Sequence, residues 1–305
     1  MVNQKRRQEY KMKYTSYANK IFNVFNILLM LLVMVATVYP FIHILSLSLS
    51  EEKYVFAGQV GLFPKGWSTY SYKAIFAHPG FLRSYFNTIW YTVLYIVVSL
   101  VLTTMTAYPL SKDKLPGCKF FKKMVMFTML FTGGMIPNFL LIKSLHLYNS
   151  VWAITLPNAV AAYYVMIMIT YFKSIPEELN EAAAIDGLGE FGIFLRIVFP
   201  LSKPIVATMV LFFAVYQWNN WFNPLIYFNK DSKYPVILLI RNLLFNAQQI
   251  AKDSSSAEQL LKSQQNTGEG IKYSSIILAT LPFLAVYPFA QKYFIQGMML
   301  GSVKG

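Results

Sequence analysis

The 305 residues are 56% hydrophobic and 17% aromatic, with 13% charged and a mean hydropathy of +0.44, too apolar for a soluble domain of this length. The formal net charge of +14, set beside long apolar stretches, reads as membrane orientation and attraction to lipid headgroups, and argues against nucleic-acid binding. The lone cysteine, Cys118, excludes an internal disulfide.

Six stretches are long enough to cross a hydrocarbon core of about 30 Å, which takes about 20 helical residues. They are residues 21–49, 85–110, 122–142, 151–172, 204–228 and 274–294. The first follows basic residues as a secretory signal would, yet its apolar run is too long and no small-residue cleavage site follows. It is expected to be a retained helix. Cytoplasmic flanks are enriched in Lys and Arg. Lys5, Arg6, Arg7, Lys11, Lys13 and Lys20 precede the first span, and Lys112, Lys114, Lys119, Lys122 and Lys123 crowd the segment between spans two and three. Against these stands Lys143 between spans three and four. Both termini are therefore expected on the cytoplasmic side, and with them residues 174–204 between spans four and five.

That segment, SIPEELNEAAAIDGLGEFGIFLRIVFPLSKP, carries nearly every fixed-spacing signal in the chain. Ser174 and Glu177 have capping-box spacing, Pro176 suits a first helical turn, and Glu177, Glu178 and Glu181 favour the positive end of a helix dipole. A short helix is expected to start here and stop near Gly187 and Gly189. Leu179, Ala182, Ala183 and Asp186 fall at i, i+3, i+4 and i+7, one small and mostly apolar face suited to a partner's groove. Residues 191–199 read as a second apolar helix, bent into span five by Pro200 and Pro204.

Glu181-Ala182-Ala183, three residues, Gly187, nine residues, Ile197, one residue and Phe199-Pro200 resemble the EAA loop of permease subunits of ABC importers. Phe199 stands where that pattern usually has Leu, a substitution that keeps an apolar residue. Most of the chain is similar to the second permease of carbohydrate-uptake systems of the maltose type. The C-terminal QGMMLGSVKG resembles the glycine-rich tail of that group. Residues 131–137, FTGGMIP, and the long loop after span five look similar to a branch named for lipoprotein-associated and oligosaccharide permeases. The resemblance implies an all-α membrane protein with six transmembrane helices of the ABC importer permease type and a cytoplasmic EAA coupling helix. It further implies a heterodimer with a related permease, two ATPase subunits that bind ATP and Mg, an extracellular solute-binding lipoprotein, and location in the bacterial cell membrane. Glu178, Glu181, Ala182, Ala183, Asp186, Gly187, Ile197 and Pro200 are the residues it assigns to ATPase coupling.

Candidates for the solute path are polar or helix-breaking features inside spans. Gly133 and Gly134 lie near mid-membrane in span three with Pro137 one turn on, so the helix is expected to be interrupted there. Such breaks line cavities, and glycines equally serve close helix packing. Span five ends in Gln217, Trp218, Asn219, Asn220, Trp221, Phe222, Asn223 and Pro224. Amides there can bond sugar hydroxyls and indoles can stack on pyranose faces. An aromatic interface belt is the other reading of the tryptophans. Asn158 beside Pro157, and Tyr163-Tyr164, are weaker candidates.

Two outward loops, residues 50–84 and 229–273, exceed what span connection requires, and the family reading makes them surfaces for the binding protein. The apolar run 235–245 is half a span, expected as a re-entrant or surface helix. The domain organisation expected is a basic cytoplasmic N-terminus, 1–20, and a single transmembrane domain, 21–305.

Energy must come from elsewhere. The chain's acidic residues all fall in termini or loops and none inside an expected span, which argues against a proton- or sodium-coupled carrier. No G-x-x-x-x-G-K-[ST] run binds a nucleotide. His43, His78 and His146 are scattered without ligand spacing, and no catalytic constellation points to a membrane-embedded enzyme. With the resemblance, the expected function is a non-catalytic permease subunit of an ATP-driven carbohydrate importer, the cargo an oligosaccharide or complex glycan; the alternatives are a secondary sugar carrier and an ABC importer of a non-sugar solute.

Overall fold

The computed structural model describes residues 17–253 and 269–302. Basic residues 5–13, most of the polar stretch 253–270 and the terminal residues 303–305 lie outside the described residues. Among the described residues the chain is helical, with one isolated antiparallel bridge, Ser50 to Trp67. The described residues fall into two compact units, one within residues 1–74 and 247–277 and the other within residues 75–246 and 278–305.

The first unit contains α1 (Tyr17–Ser48), whose apolar side chains from Ile21 to Leu45 are exposed. An apolar helix without a polar face suits lipid as its solvent. After α1 the chain folds back. Glu51 N–H donates to the Gly66 carbonyl at 2.7 Å and Ser68 N–H to that of Leu49 at 2.9 Å. Gly66 adopts φ +62°, and a Cβ there would stand 2.8 Å from Glu51 Cδ, so this reversal requires glycine. Leu47, Val55 and Val60 form a small core with Tyr54 and Tyr273. The first long loop is thus an ordered structure.

The second unit is built on α2 (Phe81–Ser111). The next expected span is two helices, α3 (Cys118–Leu130) and α4 (Met135–Ser144), at 116° to each other. The interruption expected at Gly133-Gly134 is there: Phe131 is extended and Gly134 takes φ +85°, a region that L side chains rarely adopt. The chain does not continue its course after the break; it turns back. Span four is likewise divided, Trp152–Asn158 and α5 (Ala162–Phe172) meeting at 52°.

Short helix α6 (Glu177–Ile185) follows, then Glu190–Leu201, which meets α7 (Lys203–Trp218) at the expected proline bend with an angle of 80°. Residues 194–198 within that helix are π-helical. The fifth span ends early, at Trp218, and a separate helix Phe222–Tyr227 replaces its C-terminal end. The run 235–245 opens α8 (Val236–Asp253), with Val236, Leu238, Leu239 and Ile240 buried. Its apolar part, Val236–Phe245, is too short to cross, as expected. α9 (Glu269–Ser302) contains the sixth apolar stretch.

By length and composition, α1 and α2 can each cross a membrane, and three bent pairs raise the number to five among the described residues. Tyr95, Val165, Met168, Met209 and Phe213, from α2, α5 and α7, are at most 1% exposed in one apolar cluster. Fully buried Ala107 lets α2 approach its neighbours closely. Lipid tails being as apolar as these side chains, this core is held by packing more than by exclusion of water.

Candidate functional site

The segment 174–204 begins differently from the expected capping box. The Ser174 hydroxyl donates to the Tyr171 carbonyl at 2.7 Å, ending the preceding helix. Pro176 is the N-cap of α6 and Glu177 its first residue. Pro176, with φ −55° and ψ 131°, sets the entry into the helix with no side-chain cap.

The other end follows expectation and adds detail. Gly187 takes φ +84° and donates its N–H to the Ala184 carbonyl at 3.0 Å, while Leu188 N–H reaches that of Ala183 at 3.0 Å. These are the paired bonds of a Schellman cap. Gly189 is extended at φ −72° and serves as N-cap of the next helix. One glycine of the two is therefore conformationally required.

The face of α6 available to another molecule is rotated from the expected stripe. Ala183 is 3% exposed and packs in the same cluster as Ala107, Phe172, Ile193 and Phe194, while Leu179, Ala182 and Asp186 are exposed. Ile185, absent from the expected face, is 87% exposed. At 100° per residue Ile185 shares the outer side with Glu178, Glu181 and Ala182. An isoleucine off the apolar stripe was the available sequence signal. Ile197 is half-buried against the cluster, and Pro200 lies in the last helical residues before the bend into α7.

Ion pairs attach the segment to the basic loop after α2. Lys114 Nζ lies 2.7 Å from Glu177 Oε1. Glu190 Oε2 accepts from Lys112 and from the Tyr108 hydroxyl, the latter at 3.1 Å. Asp113 receives Lys122 and Lys173, each at 2.6 Å, joining the start of α3 to the residue after α5. These lysines hold the Asp113 carboxyl down at about 2 and keep Glu190 below the usual carboxylate range. Each pair is partly or largely exposed, so their joint effect is to fix geometry more than to add stability.

A cavity of about 440 Å³ lies beside the break between α3 and α4. Its wall includes Asn138 of α4, Pro157 and Asn158 at the end of the split fourth span, and Phe222, Asn223 and Tyr227 of the short helix after α7. Asn158 and Asn223 were expected from the sequence; Asn138 was not, because these two amides, with which it shares the cavity, are far from it along the chain. Gly133 and Gly134 immediately precede the wall residue Met135 without lining the cavity.

The remaining candidates of span five are placed elsewhere. Trp218 is buried; its indole N–H donates to the Ala279 carbonyl at 3.1 Å, and its ring meets Tyr85 and Phe283 edge-on. Asn219 donates to the Val215 carbonyl and Asn220 to the Gln217 side chain. Trp221 carries the Arg241 guanidinium 4.3 Å from its ring centre. Tyr164 packs on Phe212 and Phe213 in the core, while Tyr163 is exposed. Among the described residues no group of His, Cys, Asp and Glu could hold a metal ion.

Residues 16–300 match the family described as the inner membrane component of binding-protein-dependent transport systems. The chain is 40% identical to Protein LplC of Bacillus subtilis (strain 168), over 96% of this chain and 98% of that one. It is 38% identical to the polygalacturonan/rhamnogalacturonan transport system permease protein YtcP of the same organism, over 94% and 99%. Among solved structures it is similar to a chain of a bacterial ABC transporter involved in the import of the acidic polysaccharide alginate, with TM-score 0.79, 32% identity and coverage of 92% and 98%. With an apolar helical body, an EAA-type segment and this match over nearly its whole length, the chain belongs to the binding-protein-dependent transport family, as a permease subunit of a carbohydrate ABC importer.

Proposed function

We propose that this permease transmits ATP-driven movement through α6 to a path for an oligosaccharide. The observation that carries this reading is the double anchorage of α6. Ala183 is packed in the apolar cluster of α2 and α5, and Glu177 is tied to Lys114, while Ile185 and Ala182 remain free for a partner. A displacement applied to the free side reaches α2 through packed side chains. In this reading six spans, two of them divided, place both termini and residues 174–204 in the cytoplasm. The chain pairs with a second permease. ATP and Mg belong to two ATPase subunits, and a solute-binding lipoprotein delivers the glycan outside.

The cavity holding Asn158 and Asn223 is the part of the path that this chain contributes. Asn220 and Trp221 support its wall, the Asn220 side-chain carbonyl accepting from Asn223 N–H at 3.3 Å and the Trp221 ring meeting Phe222 edge-on, while Trp218 and Asn219 make their contacts away from it. The name of YtcP, a polygalacturonan/rhamnogalacturonan transport system permease, supports a glycan as cargo.

The test is an Ala182→Cys permease assembled with its ATPase subunits and probed with a short bifunctional thiol cross-linker. A cross-link to an ATPase subunit whose yield changes on ATP binding is expected. ATP-driven glycan uptake with no such cross-link from Ala182→Cys or Ile185→Cys would sink the coupling role of α6.

A further inference from the structure

We infer that the cavity beside the α3–α4 break is a seat for one uncharged glycosyl unit, with Asn138 acting beside Asn158 and Asn223 to select it. The inference rests on the reading of a glycan as cargo and sharpens it, by naming the class of sugar this wall accepts. At about 440 Å³ the cavity falls in the range of small-ligand sites, about 300–1,000 Å³.

The wall's chemistry is one-sided. No Lys, Arg, His, Asp or Glu lines it. Lys143 and His146 are interleaved along the chain with wall residues Ile142, Leu145 and Leu147, yet neither reaches the wall. Its polar side chains are three amides and the Tyr227 phenol. The side-chain amides of Asn138 and Asn158 have no hydrogen-bond partner among the described residues, although the Asn158 backbone carbonyl is held by the Tyr95 hydroxyl at 2.8 Å.

An amide offers two donors and an acceptor, and a sugar hydroxyl both donates and accepts, so each can satisfy the other. Phe222 and Tyr227 supply apolar surface for the carbon face of a ring. A uronate carboxylate in the same seat would lose hydration with no cation in the wall to replace it. Asn138, Asn158 and Asn223 come from three separate segments. The turn at Gly134 and the break before Phe222 bring them to one cavity.

The experiment uses the complete importer in proteoliposomes, with its partner permease, ATPase subunits and binding protein, carrying Asn138→Cys in a Cys118→Ser permease. Maleimide labelling of this chain is timed with neutral galacto-oligosaccharide trimers, with trigalacturonate at equal concentration, and without glycan. ATP-driven uptake of both trimers is measured in the same vesicles. The neutral trimer is expected to slow labelling at least about five-fold, as occupancy well above its dissociation constant would, and the uronate to leave it unchanged. An Asn158→Arg permease, which places a cation in the wall, is expected to raise the uronate-to-neutral uptake ratio about ten-fold or more. Equal or greater protection by the uronate, a cysteine already blocked without glycan, or uptake of the neutral trimer without protection would overturn the neutral seat. No ATP-dependent uptake of either trimer would overturn the oligosaccharide reading itself.

Discussion

Glu177, the first residue of α6, lies 2.7 Å from Lys114, three positions beyond the end of α2. Five residues after α6 ends, the same basic loop is used again, Lys112 meeting Glu190 at the start of the following helix. One basic loop therefore grips both helices of segment 174–204.

Because these pairs are exposed, their removal should alter transmission before it alters folding. Glu190→Gln is expected to leave the thermal midpoint in detergent nearly unchanged. It should weaken coupling between ATP hydrolysis and uptake by about 0.5–2 kcal/mol, or about two- to thirty-fold. The ratio of hydrolysis to uptake in proteoliposomes measures this, and an unchanged ratio would remove the anchor from the mechanism.

Gly187 and Gly189 make an internal control. Each has open space where a Cβ would stand, but only Gly187 has positive φ, +84°. Gly187→Ala is thus expected to weaken the cap of α6 by about 1–2 kcal/mol, and Gly187→Asn by less, since Asn tolerates the left-handed region. Gly189→Ala should be neutral. Hydrogen exchange of the α6 amides separates the three variants.

Ile185 and Ala183 sit two residues apart on opposite sides of α6. Ile185→Asp should preserve folding and lower ATPase-subunit affinity about five-fold or more, the loss of a contact worth over about 1 kcal/mol. Ala183→Trp should instead overpack the cluster with Phe194 and Ala107, costing about 1–3 kcal/mol of stability. Thermal unfolding and subunit pull-down, read together, distinguish the two. If Ile185→Asp bound the ATPase normally, the outer face would be misassigned.

Acid should act on the Asp113 bridge late. Its carboxyl is held at about 2, against an ordinary 3.8, by Lys122 and Lys173. A depressed folded pKa means that the contribution is complete above the unfolded value and is lost as pH falls from about 4 towards 2. Lowering pH from 7 to 5 is therefore expected to leave this contribution intact, and Asp113→Asn to flatten the stability profile below about pH 4. Detergent-solubilised protein followed by thermal unfolding across that interval provides the measurement.

Trp218 offers a check on the path. Trp218→Phe removes the donor to the buried Ala279 carbonyl and should cost about 1–3 kcal/mol of stability, with the preference between glycans unchanged. A shifted preference at constant stability would return Trp218 to the list of sugar contacts.

Much of this was legible along the chain because it depends on near neighbours. Apolar runs locate α1 and α2, the two glycines mark the break before α4, and the spacing from Glu181 to Pro200 carries the family assignment with the left-handed turn at Gly187. A start for α6 was legible only approximately: Ser174 has the spacing of a cap, but its hydroxyl is taken by the Tyr171 carbonyl of the preceding helix.

Periodicity within a nine-residue helix defines stripes without saying which is covered, since covering comes from elements remote in sequence. Tertiary packing turned Ala183 inward and Ile185 outward, paired Lys112, Lys114 and Lys122 with their carboxylates, and collected Asn138, Asn158 and Asn223 around one cavity. Local composition determined that this chain belongs in a membrane and where its backbone must turn. Packing between distant segments decided which side chains are covered, which stay exposed and which line the cavity.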